Sequence, residues 1–253
     1  MAKIVPLTFA QHGKKHLLPV SSYAFAARQT IIPAVVAEFS AAMHTYPIVF
    51  AEHKGEAAPF LLMGLAREEN LFVDSLGKWR AGYIPATVRR YPFIFVQAPK
   101  TANDEEGKER LVLCIDEESG LLADEGGVPL FTEDGKRTPI MEKLFRFLGE
   151  YHRSAQVSRR FAAVLKEKQL LTPFNLRIDA AGDKNFKLEG LQMVNEKRLG
   201  ELSGEEYLAL KPVMGLIYAH LLSLGSLNGL IARKKAAATA ANLDQVIPDS
   251  FHF

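Results

Sequence analysis

The sequence lacks most of the features that assign a chemistry directly. Its single cysteine, Cys114, excludes a disulfide within the chain, and the apolar run 111–115 around it predicts a buried thiol. The 31 basic and 29 acidic side chains leave a formal net charge of +2, which is too small to predict a nucleic acid as partner. Lys14 and Lys15 interrupt the stretch where a signal peptide would be apolar, so the expected location is the cytoplasm.

Local signatures of metal and nucleotide sites are also missing. The seven histidines form no HExxH, HxD or HxE pattern. His12 and His16 are four residues apart, but their lysine-rich segment favours exposure over metal binding. The carboxylates from Asp116 to Glu125 lack the ligand spacing of an EF-hand and are typical of a solvated turn. With no GxSxG, Walker or GxGxxG motif present, we predict no metal and no cofactor.

What the sequence does contain is a series of short apolar runs followed by helical patterns. The 48% hydrophobic and 24% charged residues are typical of a globular protein with a substantial core. Strands are predicted at 48–50, 60–63, 71–73, 93–96 and 111–115, the first two forming a hairpin. Strands followed by helices favour an α+β fold with a largely antiparallel sheet over a parallel α/β sheet.

Helical periodicity predicts a C-terminal group of packed helices. Thr138 and Pro139 are a good helix start, and apolar residues then recur at three- and four-residue spacing to Leu165, as one kinked helix or two. Ser203 and Glu206 form a capping box that introduces a further helix. An earlier helix is predicted over 32–43, with a proline in its first turn.

The remaining pattern sets the expected domain boundaries. Alternation at 174–178 and 186–191 around the turn 181–183 predicts a second hairpin. No repeat of fixed period is present, which argues against a solenoid. We predict a single domain over 1–233 and an alanine-rich tail over 234–253.

The apolar segment 213–232 is about as long as a bilayer requires. Its flanking basic residues and the spacing of Gly225 and Gly229 would suit a membrane helix. His220 and Ser223 are polar, however, and therefore favour a buried helix of a soluble core. We expect no membrane span.

Aromatic residues alternate with arginines between residues 79 and 91, and this stretch is the candidate binding patch. Guanidinium groups pair with carboxylates or phosphates, and aromatic faces supply anchoring area. The alternative is that the aromatic residues belong to the core and the arginines form its rim. The candidate residues are Trp79, Arg80, Tyr83, Arg89, Arg90 and Tyr91.

Several blocks of the sequence resemble the bacterial SapC family. They are the stretches 46–50 and 70–73, followed by Trp79, the stretch 83–85 and the stretch 89–93, and the likeness continues to about Arg233. The resemblance implies a link to surface-layer proteins, after which the family is named, and it assigns no catalytic residue.

Two functions follow from these observations. The first is a non-catalytic accessory or binding protein that acts on a protein or peptide client through the patch, with a homo-oligomer left open. The second is an enzyme with a dispersed site for a peptide or a small anionic substrate, in which Tyr83, Arg89, Asp74 or His53 supplies acid, base or anion-binding groups.

Overall fold

The computed structural model describes residues 2–53, 55–99, 110–178 and 186–246, and the chain forms two compact units. Unit 1 consists of Met1–Ser21 and Thr87–Arg153, and unit 2 consists of Ser22–Ala86 and Ser154–Phe253. The expectation of a single domain over 1–233 stays a prediction. The last helix continues through residue 246, and residues 247–253 of the predicted tail lie outside the described residues.

The described residues form thirteen short strands. In chain order they are β1 (Ile4–Pro6), β2 (His16–Leu17), β3 (Ile31–Pro33), β4 (Ile48–His53), β5 (Glu56–Leu62), β6 (Phe93–Gln97), β7 (Leu111–Asp116), β8 (Leu122–Ala123), β9 (Val128–Pro129), β10 (Leu171–Pro173), β11 (Leu176–Ile178), β12 (Phe186–Leu188) and β13 (Leu191–Val194).

Eight α-helices accompany these strands in the described part of the chain. They are α1 (Phe9–His12), α2 (Phe39–Ala42), α3 (Ala86–Arg89), α4 (Pro139–Glu167), α5 (Glu196–Gly200), α6 (Gly204–Leu210), α7 (Met214–Ser223) and α8 (Leu227–Val246). Short 3-10 turns at Lys211–Val213 and Leu224–Ser226 connect α6, α7 and α8.

Unit 1 contains two small antiparallel sheets, with strand orders β1-β7-β6 and β8-β2-β9. Its core consists of Phe93, Ile115, Leu130, Met141 and Leu148, all of which are buried. Leu130 follows β9 directly, and Met141 and Leu148 lie on α4. The core therefore joins strand and helix within this unit.

Unit 2 contains an antiparallel five-stranded sheet of order β10-β13-β4-β5-β3, and β11 and β12 form a separate hairpin. The predicted hairpin of β4 and β5 is present, with His53 opposite Glu56. Strand and helix content are both substantial, and all the strand pairs are antiparallel. The α+β prediction is confirmed.

A buried histidine fixes α7 to this sheet. The Nε2 atom of His220 accepts a hydrogen bond from the Val194 amide of β13 (3.0 Å), and its Nδ1 lies 2.9 Å from the Ile48 carbonyl of β4. A backbone amide only donates and a carbonyl only accepts, so the ring is neutral with its proton on Nδ1. Ser223 extends the contact by accepting from the Ile48 amide (2.8 Å). This one helix turn therefore joins two neighbouring strands.

The helix predicted over 32–43 is wrong in its first half. Ile31–Pro33 pair with β5 as the edge strand β3, and only Phe39–Ala42 are α-helical. Two consecutive isoleucines suit a strand at the edge of a sheet. A proline at the end of such a strand is tolerated, because no neighbouring strand requires the backbone N–H that proline lacks. Tertiary pairing has overridden the local helical pattern.

The strand predicted at 71–73 is also wrong. The chain makes only an isolated bridge between Val73 and Trp79 and turns between them. The Asp74 carboxylate accepts from the amides of Leu76 (3.0 Å) and Lys78 (2.7 Å). An aspartate that bonds to its own following backbone favours a turn over a ladder.

Two helix predictions are confirmed. The apolar periodicity that starts at Pro139 belongs to one continuous helix, α4. At the start of α6 the Ser203 hydroxyl accepts from the Glu206 amide (3.2 Å), and the Glu206 carboxylate accepts from the Ser203 amide (2.9 Å). The predicted turn 181–183 and most of the predicted loop 100–110 lie outside the described residues.

Candidate functional site

Trp79, from the predicted patch, belongs to a hydrogen-bonded aromatic cluster in unit 2. Its indole Nε1 donates to the Tyr46 hydroxyl (3.0 Å) and to the Tyr83 carbonyl (3.1 Å), and its ring stacks on Phe72. Tyr46 is buried, and its hydroxyl donates to the same Tyr83 carbonyl. Burial holds the pKa of Tyr46 well above its usual range, so this hydroxyl remains protonated. Trp79 therefore has its polar group satisfied internally.

Replacing Tyr46 by phenylalanine tests this cluster. The Tyr83 carbonyl would still accept from Trp79, so we expect the free energy of unfolding to fall by only about 1 kcal/mol. Trp79 is the only tryptophan of the chain, and its emission maximum should shift because its indole loses one acceptor. Denaturant unfolding followed by this emission measures both effects. An unchanged spectrum together with unchanged stability would contradict the assigned contact.

Tyr83 is held by a buried carboxylate in the same unit. Its hydroxyl donates to Glu38 Oε2 (2.9 Å), which also accepts from the Ala86 amide (2.9 Å). Glu38 Oε1 accepts from the Val35 amide (3.0 Å). Glu38 is only 4% exposed. By accepting three hydrogen bonds, its carboxylate joins the segment 35–38 to the segment 83–86.

Arg80 is exposed and paired. Its Nε donates to Asp74 Oδ2 (2.7 Å), and its carbonyl accepts from Arg233 (2.8 Å), whose guanidinium lies over the Phe72 ring. Hydrogen bonds from the backbone amides of Lys78 and Leu76 lower the pKa of Asp74. Asp74, a residue of the enzyme hypothesis, thus stabilises a turn here.

The other three patch residues belong to unit 1. Arg89 lies over the Phe147 ring at 5.2 Å and Arg90 over the Tyr151 ring at 5.4 Å. The Tyr91 hydroxyl is 3.4 Å from Asp116. The patch is therefore divided, with Trp79, Arg80 and Tyr83 in unit 2. That all six act as one binding surface stays a prediction.

The residues of the enzyme hypothesis are divided in the same way. Tyr83, Asp74 and His53 belong to unit 2, and Arg89 belongs to unit 1. His53 is exposed at the end of β4 and packs edge-on against Phe60. Tyr83, Asp74 and His53 therefore each make separate contacts within unit 2. The enzyme hypothesis also stays a prediction.

A large cleft lies within unit 1, and it is the candidate site that the structure adds. Its volume is about 1100 Å³, and its apolar lining includes Phe9, Pro129 and Phe131. Phe9 and Phe131 meet edge to face with ring centroids 5.6 Å apart. Ligand clefts are typically of this size or smaller and combine apolar walls with a few polar groups.

One wall of this cleft is anchored by a buried histidine. The short helix α1 starts at the N-cap Thr8 and ends at His12. The His12 ring lies 3.2 Å from Glu117 Oε1, and Glu117 also pairs with Lys3. These contacts hold α1, and with it Phe9, in a fixed place.

A tight turn that follows Phe131 packs against Phe9. Phe131 and Arg137 form a bridge, and Gly135 lies between them with φ of +79°. A Cβ at Gly135 would come within 3.4 Å of the Phe9 ring. Glycine therefore suits this turn both by its backbone angle and by the closeness of the aromatic ring.

One polar atom of a cleft residue has no hydrogen-bond partner among the described residues. His16 lies on the central strand β2, lines the cleft, and has a buried Nδ1 without a hydrogen-bond partner among the described residues. Buried polar atoms in native proteins nearly always have a partner. Because the protein itself covers this atom, the His16 Nδ1 is an unpaired buried nitrogen behind the cleft wall and not an exposed ligand contact.

The charges on the cleft are of both signs. Lys15 pairs with Asp124 at 2.7 Å, which lowers the pKa of that carboxyl. Lys14 and Glu133 also line the cleft, and neither has an ion pair within the described part of the chain. The cleft therefore offers one cation and one anion beside an aromatic pair.

Sequence reasoning missed this cleft, although it singled out His12 and His16 as a weak metal pair. The structure gives them separate roles, and the described residues contain no cluster of three metal-ligating side chains. The missed residues come from two stretches, 9–16 and 124–138. Their only signal in the sequence is a phenylalanine in each stretch beside charged residues.

A family comparison covers both stretches of the cleft. The model of the family described as SapC matches residues 7–230. The chain belongs to the SapC family. Comparison of this SapC-family chain with curated proteins and with solved structures gives no match. Every residue of the cleft, and every residue of the predicted patch, lies within the matched range.

Proposed function

We propose that this SapC-family protein is a non-catalytic binding protein that holds a segment of a client polypeptide in the cleft of unit 1. The observation that carries the proposal is the pair of Phe9 and Phe131 in a cleft that two unpaired charges of opposite sign, Lys14 and Glu133, also line. An aromatic pair can receive an apolar side chain of the client, and the two charges can fix its neighbours.

A polypeptide fits this cleft better than a polyanion does. Lys15 is already neutralised by Asp124, and the remaining charges balance each other. A nucleic acid would require a cluster of uncompensated basic groups. A peptide carries charges of both signs together with apolar side chains, which match Lys14, Glu133 and the aromatic pair of the cleft. Surface-layer proteins are the first client class to test, since the family resemblance implies them, and we propose the cytoplasm as the place of binding.

The test selects peptides on the full chain. A phage-displayed library of random peptides is panned against the purified protein, and we expect enrichment of sequences with an aromatic or large aliphatic residue near charged ones. Phe9→Ala and Lys14→Glu should each weaken the selected peptides about tenfold or more, as the loss of one anchoring contact does. Both side chains lie at the surface, so folding should persist.

The matched control is Lys143→Glu. Lys143 is also exposed, lies on α4 and does not line the cleft, so this variant makes the same charge change elsewhere. It should bind the selected peptides as the wild type does. Absence of any enriched sequence, or equal binding by Lys14→Glu, Phe9→Ala and Lys143→Glu, would contradict the proposal.

A further inference from the structure

The C-terminal helices of unit 2 form a continuous helical run, Gly204–Thr239, of which only one side packs against the unit. The buried side carries Leu210, Met214, Ile217, His220 and Ser223. In its most apolar window only 28% of the residues are buried. A helix of a soluble core is expected to bury most of its apolar surface. This segment, predicted to be a buried helix, is therefore buried on one side only.

The other side exposes large apolar residues. Leu208 is 66% exposed, Tyr218 49% and Leu222 68%. Gly215 lies seven residues after Leu208 and three before Tyr218, and Gly225 lies three residues after Leu222. A Cβ built at either glycine would meet no neighbouring atom within 4 Å. We call this set the C-terminal stripe. Exposed apolar residues that share one helix face indicate an interaction surface.

We infer that the C-terminal stripe binds the same stripe of a second copy of this chain, with the two helical runs antiparallel. A two-fold axis on the exposed side, at the level of residue 220 along the run, would place Tyr218 opposite Leu222 and Gly215 opposite Gly225. Apolar side chains would meet at the centre, and paired glycines on both sides would let the backbones approach closely. Such an isologous contact is closed, as in most homodimers.

Charge favours a second copy in this orientation. The start of the run carries the exposed acidic residue Glu205 and its end carries the exposed basic residue Lys235, whereas the neighbouring Arg233 and Lys234 contact Arg80 and Glu69 of the same chain. Residues 211–239 contain no acidic residue. Antiparallel copies place the acidic end of one run beside the basic end of the other. Parallel copies would place like charges together, which is repulsive.

A bilayer surface is the competing occupant, because the run is long and apolar enough to meet the length and composition of a membrane span. An anionic bilayer would attract the basic end and repel Glu205 at the other end of the same run. A second copy satisfies both ends at once. This inference rests on the C-terminal stripe and is independent of the cleft in unit 1.

Sedimentation equilibrium of the full chain over a dilution series tests the inference. We expect a reversible dimer of the 28.1 kDa chain. Leu222→Glu should raise its dissociation constant by about a hundredfold, the loss typical of a central interface anchor. Leu76→Glu is the matched control, because Leu76 is 71% exposed on a loop of the same unit. It should dimerise as the wild type does.

A charge exchange provides a second readout that does not depend on removing apolar area. Glu205→Lys should weaken the dimer, and Glu205→Lys combined with Lys235→Glu should restore it. A wild type that remains monomeric at every concentration would overturn the inference, as would a Leu222→Glu variant that dimerises normally. Monomers that co-sediment with phosphatidylserine vesicles, and lose this property in Leu222→Glu, would assign the stripe to a membrane surface and also overturn it.

Discussion

Replacing His220 by alanine is expected to lower the free energy of unfolding by about 3–5 kcal/mol. The change leaves the Val194 amide and the Ile48 carbonyl without their partners in a fully buried place. It also removes a ring that packs against Phe50 with centroids 5.0 Å apart. Urea unfolding of the two proteins measures the difference. His44→Ala, at an exposed position, should change stability by no more than about 0.5 kcal/mol.

The same residue predicts a pH dependence. Burial lowers the pKa of His220 to about 4, against an ordinary value of 6.5. The folded state thus holds the ring neutral, and its stabilising effect is complete above about pH 6.5 and lost as the pH falls towards 4. The loss amounts to about 3 kcal/mol. His220→Ala should lack this part of the pH dependence, and a variant with the wild-type profile would contradict the assignment.

Replacing Glu38 by alanine is the second large effect, with an expected loss of about 3–5 kcal/mol. Three donors, the amides of Val35 and Ala86 and the hydroxyl of Tyr83, would lose their acceptor. Each unpaired buried donor costs about 1–3 kcal/mol, reduced here wherever water enters. Denaturant unfolding at neutral pH measures the loss.

Two variants define this prediction further. Glu38→Gln should cost less than Glu38→Ala, because an amide oxygen can still accept from Tyr83 and Ala86, although its NH₂ group would then face the Val35 amide. Glu52→Ala removes an exposed carboxylate that pairs with Lys166 at 3.0 Å, and such surface pairs contribute about 0–1 kcal/mol. A Glu38→Ala variant as stable as Glu52→Ala would show that the three hydrogen bonds do not stabilise the fold.

The parts of the fold that sequence predicted well are those fixed by local patterns. Two compact apolar runs and a short polar turn were sufficient for β4 and β5, and a threonine, a proline and helical periodicity were sufficient for α4. The capping box of Ser203 and Glu206 involves only neighbours in the chain. In each case the deciding interactions lie within a few residues.

The strand predicted at 71–73 failed because of the local turn at Asp74, whereas the other failures depend on distant partners. Ile31–Pro33 became a strand because the edge of β5 was open, and nothing within residues 32–43 reports that edge. The two stretches of the cleft are brought together by pairings of β2 with β8 and β9 across more than a hundred residues. Trp79 was an ambiguous binding residue in the sequence, and only the position of Tyr46 shows that its indole is satisfied internally.

The central claim is that the cleft of unit 1 binds a polypeptide segment, and its most direct test is the fluorescence anisotropy of a labelled peptide selected on the wild-type chain. The peptide is titrated with the wild type, with Lys14→Glu and with Lys143→Glu. Binding through the cleft predicts that Lys14→Glu weakens the peptide about tenfold, while Lys143→Glu leaves its affinity unchanged. Equal affinities for all three proteins would contradict the claim.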